Sequence, residues 1–288
     1  MHIIVNPASG KGAALRCLSA VTSYLTSRNI DYTIHKTNGR GHGKQLAESL
    51  CAATSGEPVV ALGGDGTFHE VLNGMDFSRC RMGFIPAGRG NDYAAGVASI
   101  TFNPIAAVAA IVRGEPAESD YIQVGNLRCL NICGTGLDVD VLELTERSHN
   151  ALSYVVALAH CLLHYERYTV QVAVNGTERE YACIMLGICN GSQFGGGIRL
   201  CPVARHDDGV LDVIIMSQPK PYPALFIMPG FVKGKHMGKW YTTHITCERI
   251  RVATPQKIEL DGEIYDTHVL DARVVPRGLK TFCSTAAG

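Results

Sequence analysis

Residues 59–74, VVALGGDGTFHEVLNG, constrain the fold more than any other stretch of this chain. Val59 to Leu62 is a continuous apolar run, the pattern of a strand buried on both faces. It enters Gly63, Gly64, Asp65, Gly66 and Thr67 directly, and helical spacing of apolar residues begins straight after. A strand that ends in glycines and feeds a helix is half of a βαβ unit, and repeated units of this kind build a parallel sheet covered by helices. The same alternation surrounds this stretch. HIIV (2–5), YTIHKT (32–37), PVVAL (58–62) and MGFIPAG (82–88) read as strands. Residues 13–27, 43–53, 67–75 and 104–114 read as helices. In the last of these, Asn103 suits the cap, Pro104 the first turn and Gly114 the end.

The rhythm changes near residue 119. YIQVGNLRCLNICG (121–134) reads as paired strands, and residues 151–165 as a helix. In 168–189, Asn175-Gly176 separates two alternating runs, a strong hairpin signal. Residues 209–216, 249–254, 257–266 and 269–276 continue the strand pattern. The expected architecture is an α/β nucleotide-binding domain, three-layered around a mostly parallel sheet, over residues 1–118. An antiparallel β-sandwich follows over 119–275.

Composition excludes several classes. Lys+Arg and Asp+Glu both number 26, and a nucleic-acid binder usually carries a basic excess. The 11 cysteines are scattered and include no CxxC pair, so reduced buried thiols are expected rather than disulfides or zinc, which would need ordered spacings. MHIIVNP lacks the pattern of a secretory signal, and the longest uncharged stretch, 94–112, is broken by FNP, so neither export nor a membrane-spanning helix is expected. The expected location is the cytoplasm.

Three glycine-bearing turns fall at carboxyl ends of the parallel strands, where such sheets bind ligands: after Val5 (NPASGKG), after Leu62 (GGDGT) and after Ile85 (PAGRGND). Glycines there let backbone N–H groups approach an anion closely, which suits phosphate. No Walker motif is present, since GRGHGKQ lacks both the glycine spacing and the Ser/Thr. An acid beside polyphosphate needs a cation between them. Asp65 therefore either faces Mg²⁺, directly or through water, or caps the helix that follows it. LDGE (260–263) and DDGVLD (207–212) add acids around glycines, and each alone also fits an ordinary turn.

Together these motifs resemble the diacylglycerol kinase catalytic-domain family, bacterial soluble lipid kinases related to sphingosine kinases. The resemblance covers nearly the whole chain. The family's GGDGTxNEVxNG stands here as GGDGTFHEVLNG, departing at His69; NPxSG stands as NPASG; PxGTxND stands as PAGRGND, departing at Arg89. DDGxLD and DGE follow in the expected order. The resemblance implies a nucleotide domain plus a β-sandwich, with the chain end from about residue 276 returning to the first domain. It implies that Asp261 is the general base, acting with Glu263 and Asp65. It places Asn6, Pro7, Ala8, Ser9, Gly10, Thr37, Gly63, Gly64, Asp65, Gly66 and Thr67 around ATP. Arg89 stands where the family's Thr would meet ATP, and either pairs with phosphate or points away. Asp65, Asp92, Asp120 and Glu263 would surround a catalytic Mg²⁺. The Asp208 side chain and the carbonyls of Arg205 and Val210 would hold a second, structural Mg²⁺.

The implied activity is ATP-dependent phosphorylation of a lipid hydroxyl, of diacylglycerol or a related lipid, by a protein peripheral to the membrane. A kinase for a soluble substrate such as NAD, and a catalytically silent nucleotide-binding regulator, are the alternatives. Residues 222–241 place Leu225, Phe226, Ile227, Met228 and Phe231 beside Lys233, Lys235 and Lys239, with Trp240 near the end, a composition that fits either a membrane-facing surface or a core helix with a solvated end. The resemblance allows a homodimer without fixing the oligomeric state.

Overall fold

A computed structural model describes all residues except 55, 98, 146–155, 162–166, 218–228 and 284–288. The chain forms two compact units, Met1–Tyr121 joined by the chain from Pro276 on, and Ile122–Val275.

The first unit is built on a four-stranded sheet in the order β2-β1-β3-β4, from β1 (His2–Val5), β2 (Thr33–Lys36), β3 (Val59–Gly63) and β4 (Met82–Pro86). All three neighbouring pairs are parallel. The helices are α1 (Ala13–Ser27), α2 (His42–Ala53), α3 (Asp65–Gly74), α4 (Asp92–Gly96) and α5 (Pro104–Arg113). Every residue of β3 and β4 is buried, the sequence signature of central parallel strands. The edge strand β2 is mostly exposed. Ile3, Val5, Val60, Leu62 and Ile85 pack with Leu18 and Val21 of α1 and Val108 and Ile111 of α5. Asn103 caps α5 by accepting from the N–H groups of Ile105 and Ala106, and Gly114 ends it at φ 72°. The returning chain is anchored by Phe282 in this core and by Thr281 Oγ1, which donates to the Met82 carbonyl at 2.7 Å.

The second unit begins within β5 (Pro116–Val124) and continues through β6 (Leu127–Cys129), β7 (Ile132–Gly136), α6 (Leu137–Thr145), β8 (Tyr168–Val174), β9 (Thr177–Cys183) and β10 (Met185–Cys189). It is completed by β11 (Leu211–Met216), β12 (Thr242–Cys247), β13 (Arg249–Ala253), β14 (Ile258–Leu260), β15 (Glu263–Tyr265) and β16 (Val269–Phe282). Two six-stranded sheets, β12-β11-β10-β7-β14-β15 and β6-β5-β16-β13-β8-β9, form a sandwich. Their inner faces share one core, including Leu186, Ile188, Val213 and Ile215 from one sheet and Val170, Ile250, Val252 and Leu270 from the other. The outer face of β10 and β11 is covered too, by Leu137, Val141, Leu200, Cys201 and Phe231. Burial on both faces accounts for the apolar composition of β10 and of β11 apart from Asp212.

Three local expectations are corrected. Residues 177–189 are two strands rather than one, β9 in one sheet and β10 in the other, because the chain changes sheets at Ile184, whose N–H bonds the Met216 carbonyl. An additional helix, α6, follows β7 directly, where only strands were expected before the helix of 151–165, whose described residues 156–161 are helical. Phe231, expected at a membrane-facing surface, is 4% exposed and belongs to the outer-face core. Residues 222–228 of that stretch, and parts of the helix expected at 151–165, lie outside the described residues. Among the described residues no helix is long and apolar enough to cross a membrane.

Candidate active site

In the first unit the three glycine turns are stacked on one another. Strand β1 ends at an Asx turn in which Asn6 Oδ1 accepts from the Ala8 N–H at 3.0 Å. The chain then passes through positive φ at Gly10, Lys11 and Gly12 before α1. A Cβ at Gly10 would collide with the Ala87 carbonyl oxygen of the turn after β4. Gly64 and Gly88 lie against each other, so that a Cβ on either would strike the Cα of the other. Asn91, itself at φ 51°, fixes this third turn: its Oδ1 accepts from the Gly88 N–H at 2.9 Å and its Nδ2 donates to the Gly88 carbonyl at 3.2 Å. Ser9 Oγ lies 3.4 Å from Thr67 Oγ1, joining the first turn to the second. Backbone, rather than side chains, thus fills the space over the strand ends, and only glycine fits where the turns touch.

Two carboxylates converge on this stack. Asp65 stands in the first turn of α3 and Asp92 in the first turn of α4. A Cβ at Gly90 would meet Asp65 Oδ2 at 3.3 Å and Asp92 Oδ2 at 3.2 Å, so both oxygens border the same small volume. Asp65 Oδ1 accepts from the Tyr93 N–H at 3.3 Å. Asp120 is buried and accepts from the Arg277 N–H at 2.7 Å, which ties β5 to the returning chain. Thr37 prolongs the β1–β2 pairing, its N–H donating to the Val5 carbonyl at 2.9 Å. Arg89 and Gly66 are exposed, and Pro7 is half-buried.

The rest of the GGDGTFHEVLNG motif holds helices together. Helix α2 starts at glycines without a side-chain cap of its own. Glu70 of α3 supplies the cap, accepting from the Gly41 N–H at 2.6 Å and the Gly43 N–H at 2.9 Å. Gly74 lets α3 approach α2, since a Cβ there would enter the Lys44 carbonyl. His69, the departure from the family pattern, is buried in α3, where Asn73 Nδ2 lies 3.4 Å from its Nε2 and donates to its carbonyl at 2.9 Å. Glu70 was missed as a structural residue. Its signal was indirect: a helix beginning GRGHG has no capping residue and needs an acceptor from elsewhere.

In the second unit Asp261 occupies the turn between β14 and β15, at φ 51°. Its Oδ2 accepts from the Leu130 N–H and its Oδ1 from the Asn131 N–H, both at 2.8 Å, and the Cys129 thiol lies 3.1 Å from Oδ1. Glu263, half-buried, opens β15. Beneath the turn lies a buried pair that sequence reading missed. Glu259 accepts from the Gly262 N–H at 2.8 Å, and burial together with the neighbouring Asp138 pushes its carboxyl well above the carboxylate range. Burial raises Asp138 to about 7, against the pull of the Val139 N–H, although no described group meets its oxygens in good hydrogen-bond geometry. Neighbouring buried carboxyls disfavour two negative charges together.

In the DDGVLD stretch Asp207 and Asp208 are exposed, whereas Leu211 and Asp212 are buried in β11. Arg205 pairs with Asp207 at 3.0 Å, and Asp208 Oδ1 accepts from the Val210 N–H at 3.2 Å across Gly209 at φ 75°.

Comparison with known proteins gives the same outline for the whole chain. Residues 1–124 match the family model of the diacylglycerol kinase catalytic domain, and residues 131–283 that of the YegS C-terminal NAD kinase beta sandwich-like domain. A probable lipid kinase, YegS-like, of Enterobacter sp. is 30% identical, over 94% of this chain and 92% of its own. A diacylglycerol kinase of Mycobacterium tuberculosis is 28% identical, over 86% of this chain and 85% of its own. A solved structure of a diacylglycerol kinase from Bacillus anthracis superposes with a TM-score of 0.73, covering 100% of this chain and 97% of its own at 19% identity, a likeness of fold.

Proposed function

This chain belongs to the diacylglycerol kinase catalytic-domain family of lipid kinases, and on that premise we propose that it transfers the γ-phosphate of ATP to a lipid hydroxyl. The observation that carries the reading is the stack of three glycine turns with Asp65 and Asp92 converging beside it. The turns let phosphate oxygens approach the backbone, and Asn6, Ser9 and Thr67 add polar side chains at their rim. The donor set around Gly90 is purely carboxylate oxygen, which suits a hard divalent cation such as Mg²⁺. When bound there, Mg²⁺ would neutralise charge on the transferring phosphate. Asp65 and Asp92 would hold and orient it, with Asp120 of the same unit among the acidic surroundings by resemblance.

Asp261 serves in this reading as the base toward the lipid hydroxyl. Its backbone donors, the N–H groups of Leu130 and Asn131, fix its orientation. Trp240, 74% exposed, and the exposed lysines Lys233, Lys235 and Lys239 favour contact with an anionic membrane surface.

ADP release measured with Mg²⁺-ATP and a total lipid extract, with NAD, or with no acceptor tests the reading, with the product identified by mass. Release with lipid alone supports it. Release with NAD alone points to a soluble-substrate kinase, and no release under any condition to a silent regulator. Anionic vesicles should blue-shift Trp240 emission; an unchanged spectrum places the membrane contact elsewhere.

A further inference from the structure

The outer face of the β10–β11–β12 sheet carries a cluster that the kinase reading does not use. In register, Cys189 of β10 lies opposite Asp212 of β11, while Asp212 lies opposite Thr246 and Ile214 opposite His244 of β12. Alternate residues of a strand share a face, so Cys189, Asp212 and His244 point to the same side. Cys201, arriving on the loop that covers this face, packs in the same core as Cys189 and Ile214. Cys201 Sγ, an Asp212 carboxylate oxygen and a His244 ring nitrogen all lie within 4.8 Å of one another.

We propose that Cys201, Asp212 and His244 form a zinc site, with water as the fourth ligand. One thiolate, one imidazole and one carboxylate are a donor set for Zn²⁺ or a similar borderline ion, and a poor one for Mg²⁺. Tetrahedral Zn²⁺ with bonds of about 2.0–2.3 Å sets its ligand atoms about 3.3–3.8 Å apart, within the 4.8 Å limit of the cluster, so the His244–Asp212 contact of 2.6 Å must open as the ion enters. The accessible side is His244, whose side chain is 32% exposed, while Asp212 is 7% exposed. This leaves a route for the ion and room for the water.

Neighbouring groups are arranged as outer-shell partners. Cys189, on β10 opposite Asp212, packs in the same core as Cys201, so a second sulfur borders the cluster. His244 Nε2 now donates to Asp212 Oδ1 at 2.6 Å. On zinc binding that proton shifts to Nδ1 and the thiol proton leaves to solvent. The ion would clamp the loop around Cys201 to β11 and β12. The site lies wholly within the second unit and is independent of the catalytic reading.

The test is metal binding by the full chain after chelator treatment and dialysis against Zn²⁺ or Co²⁺. The expected result is about one Zn²⁺ per chain, and with Co²⁺ a thiolate-to-metal charge-transfer band together with tetrahedral d–d bands. Cys201→Ser should remove the charge-transfer band, and His244→Ala should weaken Zn²⁺ binding at least about tenfold. Cys17→Ser, on α1 of the other unit, should change neither. Absence of the band in the unmodified protein, or its persistence in folded Cys201→Ser, overturns the proposal. If Cys201→Ser does not fold, the melting temperature decides: Zn²⁺ should raise it in the unmodified protein but not in His244→Ala, and equal behaviour overturns the site.

Discussion

Replacing Asp261 by Asn separates a proton acceptor from a turn anchor. The carboxylate accepts two backbone N–H groups at 2.8 Å, one on each oxygen. An amide offers its oxygen to one of them and turns its own NH₂ toward the other. One buried donor then loses its acceptor, at about 1–3 kcal/mol. The substitution is therefore not neutral to the fold, and each kcal/mol lowers the melting temperature by about 2–4 °C in a protein of this size. Loss of a general base acts separately, at about 10² to 10⁴ in rate. That is about 3–5 kcal/mol in the barrier. Native stabilities of about 5–15 kcal/mol leave the variant folded at 25 °C, so turnover and stability can be measured on one sample. The assay is kcat for lipid phosphorylation, with the folded fraction checked by near-ultraviolet circular dichroism. Cys129→Ala removes the thiol partner and leaves the carboxylate in place, and should lower kcat less than about tenfold. Wild-type turnover in folded Asp261→Asn would refute proton acceptance. An equal loss in both variants would assign the effect to anchoring of the turn.

Asp65→Ala should abolish turnover and weaken ATP binding in Mg²⁺, while binding in chelator stays the same or tightens as one repelling charge is removed; calorimetry in both conditions checks this, and an equal loss points to a structural role, such as its contact with the Tyr93 N–H. Gly88→Ala drives a Cβ into the Gly64 Cα and to 2.7 Å from Asn91 Oδ1, and a strain of about 1–3 kcal/mol should weaken ATP binding by roughly five- to 150-fold. Unchanged affinity would remove the glycine stack from the nucleotide site. Asp138, raised by burial from 3.8 to about 7, keeps a proton that the unfolded chain loses. Its contribution to stability is complete below pH 3.8, is lost as pH rises toward about 7, and changes little above that. Urea unfolding across this window should show a shallower pH slope in Asp138→Asn, and an identical slope would place the proton elsewhere.

The glycine turns, the parallel pairing of the first sheet and the Asn175-Gly176 hairpin were legible in the sequence, but not the strand order β2-β1-β3-β4. Each is encoded by neighbouring residues: an apolar run, a turn dipeptide, a cap or a helix-ending glycine. That both faces of β10 and β11 are buried was not read from the sequence, and only the packing showed it. The change of sheet at Ile184 left no mark, because a strand looks alike on either side of such a crossing. Phe231 could be read as facing lipid or core, since both take the same apolar residue, and only the packing around it decided. Glu70, the Asp138–Glu259 pair and the Cys201–Asp212–His244 cluster were decided by tertiary structure alone. Their members are separated by 27 to 29 residues where Glu70 caps α2, and by 32 between Asp212 and His244. The cysteine spacings, read along the chain, argued against zinc. Strand register instead set Asp212 beside Cys189 and near His244, and a covering loop brought Cys201 over them. Local conformation repeats with the period of the backbone and is therefore written into short stretches, whereas contacts across a sheet depend on which strands pair and in what register, and that is fixed only when the whole core closes.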